Sequence, residues 1–341
     1  MISQSRCLLG PIFKITKPIK IQGCSEQMCP FYIVFGTRPL SKHLITYPRE
    51  YNRGDSKVAE TESIGMCLSA NASEHPALEG KESAKVGTKE WAEHNKNIDV
   101  GCANGCTYCY AYGMLGLRFK LVKSHEEWMC PRANSNGEKE RPKKLDGRIM
   151  FPTSHDIHVG NIDRVVVFLR RWLEVGNDIL VTSKPSYVCI KRLCDELGEF
   201  KDQITFRFTI GSMNDDTTRF WEPKAPLFEE RLRALVYAYS KGFRTSVSME
   251  PFLDSSVVRV FHKLKDFVTD TIWVGKMNYI DQYVKRDEMD AESLAFLYEV
   301  ESCQTDESIW RLYNELKRES KVRWKDSIRE VVGLAEYDGV A

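Results

Sequence analysis

The chain has 341 residues, enough for one large α/β domain or two ordinary ones, and 42% hydrophobic against 28% charged side chains suits a globular protein with a sizeable core. Its 49 basic and 48 acidic side chains nearly cancel to a formal +1, so composition gives no electrostatic footprint for nucleic acid beyond a local basic face. No stretch approaches the roughly 20 apolar residues that span a bilayer, and Pro11 and Lys14 interrupt the apolar N-terminal run before it resembles an export signal. The eleven cysteines are therefore expected as reduced thiols, metal ligands or core residues, and the expected location is the cytoplasm, with no membrane partner.

In chain order, residues 1–85 stand apart. They mix Pro, Ser, Lys and Glu around one β-like run, "FYIVFG" at 31–36, with no sustained period. That composition predicts an irregular, weakly ordered N-terminal extension, with Met28 and Met66 as alternative starts. From about residue 97, strand and helix alternate. "NIDVG" (97–101) reads as the first strand, Cys109 to Leu117 as a short helix, and "CPRANSNGEKERPKKLDG" (130–147) as a polar surface loop.

"RIMF" (148–151) is the second strand. Residues 161–175 follow as a helix, with Val165, Phe168, Leu169, Trp172 and Leu173 on one face and Gly176 as its stop. "DILVTS" (178–183), "QITFRFTI" (203–210), "FRTSVSM" (243–249) and "TIWVG" (271–275) are the remaining strands. Helical pattern fills about 185–197, 226–241 and 255–267 between them, and two or three amphipathic helices run from about 290 to 334.

Six strands, each followed by helical pattern, require parallel pairing through right-handed crossovers. Eight units would close a full barrel. Six predict an α/β fold of partial (βα)6 TIM-type barrel, with residues 86–280 as its core and 281–341 as a C-terminal helical cap. A doubly wound open sheet is the alternative. In both, sites gather at the carboxyl ends of the strands. Cys102 to Cys109, "SHD" (154–156), "SKP" (183–185), "GSMNDD" (211–216) and "EP" (250–251) all fall there.

"GCANGCTYCYAYG" (101–113) sets Cys102, Cys106 and Cys109 in a C-x3-C-x2-C array. Thiolates suit zinc, copper(I) and iron–sulfur clusters, and Gly101 and Gly105 let the backbone turn tightly around a common centre. A structural zinc site wants four protein ligands, usually as two separated pairs. No second C-x2-C or H-x3-H is present, and Cys24 and Cys29 are the nearest other pair. A [4Fe–4S] cluster normally takes four thiolates, so three leave one iron open to an external molecule. From another class comes a zinc-stabilised binding module, with a histidine such as His94 as fourth ligand.

With Tyr108 just before its last cysteine, this triplet resembles the radical S-adenosylmethionine superfamily, which carries it on a partial (βα)6 barrel. Together with "PTSHDIHVGNID" (152–163), "ILVTSKPSYV" (179–188) and residues 204–251, it looks like the spore photoproduct lyase-like branch, over roughly residues 95–280. The resemblance implies that Cys102, Cys106 and Cys109 hold a [4Fe–4S] cluster whose open iron chelates S-adenosylmethionine. It places Tyr108 against the adenine, Ser154 and Asp156 near the methionyl amino group, and Lys184 at the methionyl carboxylate. Thr209 falls where ribose or carboxylate contacts are made, and Glu250 closes the site. It also implies reductive cleavage of S-adenosylmethionine to a 5′-deoxyadenosyl radical that takes hydrogen from a substrate, with a reductant such as flavodoxin or ferredoxin. Two details depart from the family pattern: its Thr-Lys order appears as "TSK", and Thr209 replaces a serine.

A larger departure concerns the product. In the lyases a cysteine directly before the "TS-D" stretch returns hydrogen to the product radical; Pro152 stands there, so repair of spore photoproduct is not expected. Cys130, in the polar insertion, is the candidate substitute donor. The expected substrate leans to a nucleobase or nucleic acid, with a peptide or small metabolite as the alternative. Cys189 and Cys194 read as core packing beside Ile190, Leu193 and Leu197, and the spacing of Cys7, Cys24, Cys29 and Cys67 asks for no second cluster. His155 and His158 flank Asp156 as pocket or plain loop residues, Arg219, Trp221 and Glu222 position a loop, and Trp324 belongs to an amphipathic capping helix.

Overall fold

A computed structural model describes residues 87–278 and 280–335. The extension expected at 1–85, with its four cysteines, lies outside the described residues. The strands are β1 (His94–Asn95), β2 (Asp99–Val100), β3 (Arg132–Ala133), β4 (Arg148–Phe151), β5 (Asp178–Ser183), β6 (Ile204–Thr209), β7 (Arg244–Met249), β8 (Ile272–Val274) and β9 (Val322–Trp324). The helices are α1 (His125–Trp128), α2 (Ser135–Lys139), α3 (Ile162–Glu174), α4 (Tyr187–Glu196), α5 (Asp215–Trp221) and α6 (Phe228–Ser240). They continue with α7 (Val257–Leu264), α8 (Ile280–Tyr283), α9 (Ala291–Cys303), α10 (Asp306–Leu316) and α11 (Asp326–Val332).

Seven of these strands form one parallel sheet in the order β1-β4-β5-β6-β7-β8-β9. The order climbs with the chain and never reverses. Right-handed crossovers then put α3, α4, α6 and α7 on one face, which curls the sheet as in a barrel, whereas a doubly wound sheet needs a reversal point. β1 and β9 stand at opposite edges, so the barrel is partial.

Side-chain alternation separates the two faces. Ile149, Phe151, Ile179, Val181, Phe206, Phe208, Val247, Met249, Ile272 and Val274 join the large core beneath α3, α4, α6 and α7. Each large apolar side chain fully buried there contributes roughly 1.5–3 kcal/mol. The concave face carries a small cluster of Trp91, Ala92, Met150, Leu180 and Trp273, with the Arg207 guanidinium stacked 4.8 Å from the Trp91 ring and 5.4 Å from the Trp273 ring.

β4, β5, β6, β7, β8 and the helices α3, α4 and α6 stand within two residues of the expected spans, and α7 ends three residues early, at Leu264. Elsewhere the chain differs. The first sheet strand is β1, upstream of "NIDVG", and Asp99–Val100 instead pairs antiparallel with Arg132–Ala133 in a separate ribbon. The polar insertion thus holds β3 and α2, and a π-helical turn at Tyr112–Arg118 takes the place of the expected short helix. At the other end Val322–Trp324 adds a seventh sheet strand beside β8, so "TIWVG" is not the last, and Trp324 lies in a strand rather than a helix. Two- and three-residue strands hold too few side chains to show a period, and neighbouring strands, not their own propensity, create them. The short helix α5 was also unforeseen. Its signal is Asn214, whose side chain caps the Asp216 and Thr217 amides at 3.0 and 3.4 Å.

Candidate active site at the carboxyl ends of the strands

Cys102, Cys106 and Cys109 occupy the loop between β2 and the π-helical turn. Two glycines shape it. Gly101 and Gly105 have φ of 95° and 64°, and a Cβ on them would meet the Trp128 carbonyl oxygen at 2.5 Å and the Met129 sulfur at 2.6 Å. The Cys102 amide donates to the Trp128 carbonyl at 2.9 Å, and the Tyr112 amide to the Cys109 sulfur at 3.4 Å. From the far side, Thr107 N donates to the Trp221 carbonyl at 3.0 Å and Lys224 N to the Asn104 carbonyl at 3.1 Å. Trp221 and its neighbours therefore hold the cysteine loop itself.

The three thiols lie within electrostatic reach of one another. Burial is the main force on each and pushes it up, Cys102 to about 12 and Cys106 well above its usual value. Lys184 opposes the rise at Cys106, while Glu222, Cys102 and Cys109 add to it. Lys184 Nζ stands 5.6 Å from the Tyr108 ring centre and 3.8 Å from Glu222 Oε1. Burial works against the ammonium charge, but Cys106, Tyr108, Glu222 and Asp156 outweigh it and hold Lys184 well above the ordinary lysine value.

Glu222 is the hub on this side. It accepts from the Tyr108 hydroxyl and from Arg231, whose guanidinium also donates to the Pro226 carbonyl at 2.6 Å and the Thr209 carbonyl at 3.0 Å. Burial opposes the charge of Glu222, yet Arg231 and Lys184 hold its carboxyl below the usual range. Asp156 is the second hub. Its Oδ2 accepts from Asn104 Nδ2 at 2.7 Å and Lys184 N at 2.9 Å, and its Oδ1 from Ile157 N at 2.7 Å and the Ser183 hydroxyl. Four donors thus tie the cysteine loop, the β4 loop and the end of β5 to one carboxylate.

The structure brings Cys102, Cys106, Cys109, Tyr108, Asp156 and Lys184 into one neighbourhood. Ser154 follows β4, where its amide donates to Asn97 Oδ1 at 2.9 Å. Thr209 ends β6, with its carbonyl on Arg231. Glu250 follows β7, and its carboxylate lies 3.6 Å from Lys325 Nζ. Burial raises Glu250 to about 7; Asp326 and Glu90 add to the rise and Lys325 opposes it. Cys130 is exposed just past α1. His155 is buried between the Ile98 amide and the Asp156 carbonyl, both 3.1 Å away, and His158 Nδ1 accepts from Gly160 N at 3.1 Å, so both histidines shape the loop. Cys189 and Cys194 are buried in the large core.

Two buried charged groups escaped sequence reading. Arg231 lies among Phe228, Ala234 and Leu235 on the buried face of α6, and a charge at a core position is the signal that finds it. Lys325, just after β9, is 1% exposed at its side chain and contacts Glu90.

No group of three or more His, Cys, Asp or Glu side chains among the described residues is set to hold a metal ion. A single zinc would draw sulfurs to about 2.3 Å from one centre, and His94 Nε2 instead donates to the Asp146 carbonyl, 2.8 Å away, near the amino end of β4. The zinc set of three cysteines with His94 is therefore not assembled. A four-iron cluster is a larger body held by sulfurs spread around it. Three free thiols on one glycine-shaped loop, with the Lys184 ammonium beside them to offset thiolate charge, are a donor set that fits it.

No family model matches this sequence. An uncharacterized protein, ORF301 of Acidianus two-tailed virus, is 23% identical over 247 residues, covering 67% of this chain and 80% of the viral protein. Among solved structures, spore photoproduct lyase complexed with dinucleoside spore photoproduct aligns at 17% identity with a TM-score of 0.40, over 59% of this chain and 63% of the lyase chain. A double mutant of that lyase with bound AdoMet and dinucleoside spore photoproduct gives 16% and 0.39 over the same shares. This chain thus spans just under two thirds of the length of those lyase chains. Among the described residues, no helix is long and apolar enough to cross a membrane.

Proposed function

We propose that this chain is a radical S-adenosylmethionine enzyme. The observation that carries the reading is the C-x3-C-x2-C loop, its thiols facing Lys184 at the carboxyl end of an open parallel barrel. Cys102, Cys106 and Cys109 would hold a [4Fe–4S] cluster with S-adenosylmethionine at its open iron. When bound, that pair supplies one-electron cleavage of the sulfonium and a 5′-deoxyadenosyl radical able to take hydrogen from substrate.

The chain's own residues do the rest. The Lys184 ammonium stays protonated at neutral pH and offers a positive charge to the cofactor's carboxylate beside the thiols. Glu222 and Arg231 fix the Tyr108 ring and keep its hydroxyl engaged, which leaves the ring for stacking. Asp156 positions the cysteine loop against β5, and with four donors already on its carboxylate it acts through the loop. Ser154 and Thr209 supply polar contacts at the ends of β4 and β6, and Glu250 borders the concave side.

The proposed substrate is a nucleobase or nucleic acid. Pro152, buried at the end of β4, cannot return hydrogen, so the reaction differs from spore photoproduct repair. Anaerobic reconstitution with iron and sulfide tests the reading. Brown iron–sulfide absorption and 5′-deoxyadenosine formation with dithionite and S-adenosylmethionine are expected. Deuterium from labelled DNA or RNA should appear in the 5′-deoxyadenosine. Uptake of zinc without iron–sulfide absorption, or no 5′-deoxyadenosine, rejects it.

A further inference from the structure

The segment directly after the thiol triplet breaks several local rules at once. Met114, Leu117, Phe119 and Leu121 are 42, 51, 60 and 40% exposed, although large apolar side chains belong inside. Residues 110–123 hold Arg118, Lys120 and Lys123 and no acidic residue, and all three basic side chains are exposed. The backbone is unusual too. Tyr112–Arg118 is π-helical, a geometry concentrated at functional sites. Lys120, at φ 54°, is the one non-glycine residue in the left-handed region among the described residues, at a cost of about 1–2 kcal/mol.

The two sides of this segment have different neighbours. Inward, Tyr112 and Leu115 pack with Ala111, Val122 and Trp128 over Cys102 and Cys109. Outward lie the four exposed apolar residues with the basic ones around them. Since a helix is about 10 Å across, a body seated on the outer side stands about one helix from the thiols.

We propose that residues 114–123 are the docking face for an acidic one-electron carrier protein, an inference that rests on the cluster reading above. Apolar Met, Leu and Phe ringed by Arg and Lys are the makings of a protein interface, whereas nucleic-acid interfaces are more polar. Arg118, Lys120, Lys123 and Arg132, whose guanidinium donates to the Leu121 carbonyl at 2.8 Å, outnumber the neighbouring Glu126 and Glu127, and this net basic charge steers an acidic partner and rejects a basic one. Across this face one electron leaves the reduced carrier, which is oxidised by one electron, and enters the cluster, which is reduced by one. No proton or bond moves.

The test compares the reconstituted wild-type protein with two variants, Arg118→Glu/Lys120→Glu/Lys123→Glu and Leu117→Ser/Phe119→Ser. Binding of an acidic flavodoxin and of an acidic ferredoxin, each alone, is titrated calorimetrically at low and high salt. Formation of 5′-deoxyadenosine is then driven by each reduced carrier or by dithionite. Both variants should weaken carrier binding by about tenfold or more, with the wild-type affinity falling in high salt. Carrier-driven turnover should fall in parallel while the dithionite-driven rate stays unchanged. Unchanged carrier binding in the variants, or no binding of either carrier to wild type, overturns the proposal. Equal loss with dithionite also overturns it, because the patch would then support the site's fold. Loss of DNA binding with intact carrier binding assigns the face to nucleic acid instead. If dithionite yields no 5′-deoxyadenosine in wild type, the cluster reading itself fails, a result distinct from a failure of the docking face.

Discussion

Two buried charge networks tie this partial barrel together, and they are built differently. Beside the thiols, Glu222 gathers Tyr108, Lys184 and Arg231 from loops and helices that follow separate strands, and Lys184 keeps 17% side-chain exposure. At the sheet edges, Glu90, before β1, pairs with Lys325 and Arg329, after β9, and Lys325 is 1% exposed. The Lys325 ammonium also reaches the Gly87 carbonyl at 2.9 Å and lies 4.8 Å from the Trp91 ring centre. One network leaves an ammonium at the lip of the site; the other is sealed and staples the two sheet edges. Buried ion pairs are weak evidence for stability but strong devices for registry, and here the registry differs: loop to loop at the thiols, edge to edge across the barrel opening.

The largest expected effect separates chemistry from scaffold. Cys106→Ala should abolish iron–sulfide absorption and S-adenosylmethionine cleavage while the far-ultraviolet dichroism stays native. A variant that retained full cluster absorption would remove Cys106 from the ligand set.

Lys325→Ala leaves the buried Glu90 with Arg329 as its one ion-pair partner among the described residues, and the loss of a buried ion-pair partner costs about 3–5 kcal/mol. Lys184→Ala should cost clearly less in urea unfolding, because its ammonium is partly solvated, but should weaken S-adenosylmethionine binding. Equal destabilisation by both variants would erase the contrast between the two networks.

Asp156→Ala strands the Asn104, Ser183, Ile157 and Lys184 donors, at about 1–3 kcal/mol for an unsatisfied buried group. Iron uptake should fall with it, since the cysteine loop loses its tie to β5. Normal iron loading in a folded Asp156→Ala protein would show that the loop is held without that tie.

The smallest effect is a pH dependence at the edge network. Burial raises Glu250 to about 7, so between its ordinary value near 4.5 and about 7 the folded chain keeps a proton that the unfolded chain has released. Its contribution to stability therefore declines as pH rises through that window. Glu250→Gln removes the slope, and its melting temperature should gain on wild type between about pH 5 and about pH 8. Parallel profiles for the two proteins would discard this placement of Glu250.

How much of this was legible depended on the length of each pattern. β5 spans "DILVTS" and α3 buries Val165, Phe168, Leu169 and Trp172, both as the periodicity indicates. By contrast β1, two residues of His and Asn, carries no period, and Arg323 between Val322 and Trp324 looks like a solvated helix until β8 lies beside it. The same holds at the site. The thiol spacing is local and readable, whereas Glu222 read only as a loop-positioning residue until Tyr108 and Arg231 met it across 114 and 9 residues of sequence.

By itself the sequence determined what short-range pattern can carry: the alternation of strands and helices, the faces they bury, and three thiols grouped on one glycine-shaped loop. Only the tertiary structure decided the unreversed strand order that puts α3, α4, α6 and α7 on one face, the edge strands β1 and β9, and the exposed apolar patch over the thiols. The physical reason is that a hydrophobic period records a residue's own surroundings, while a charge's partner and an edge strand's neighbour come from chain segments distant in sequence.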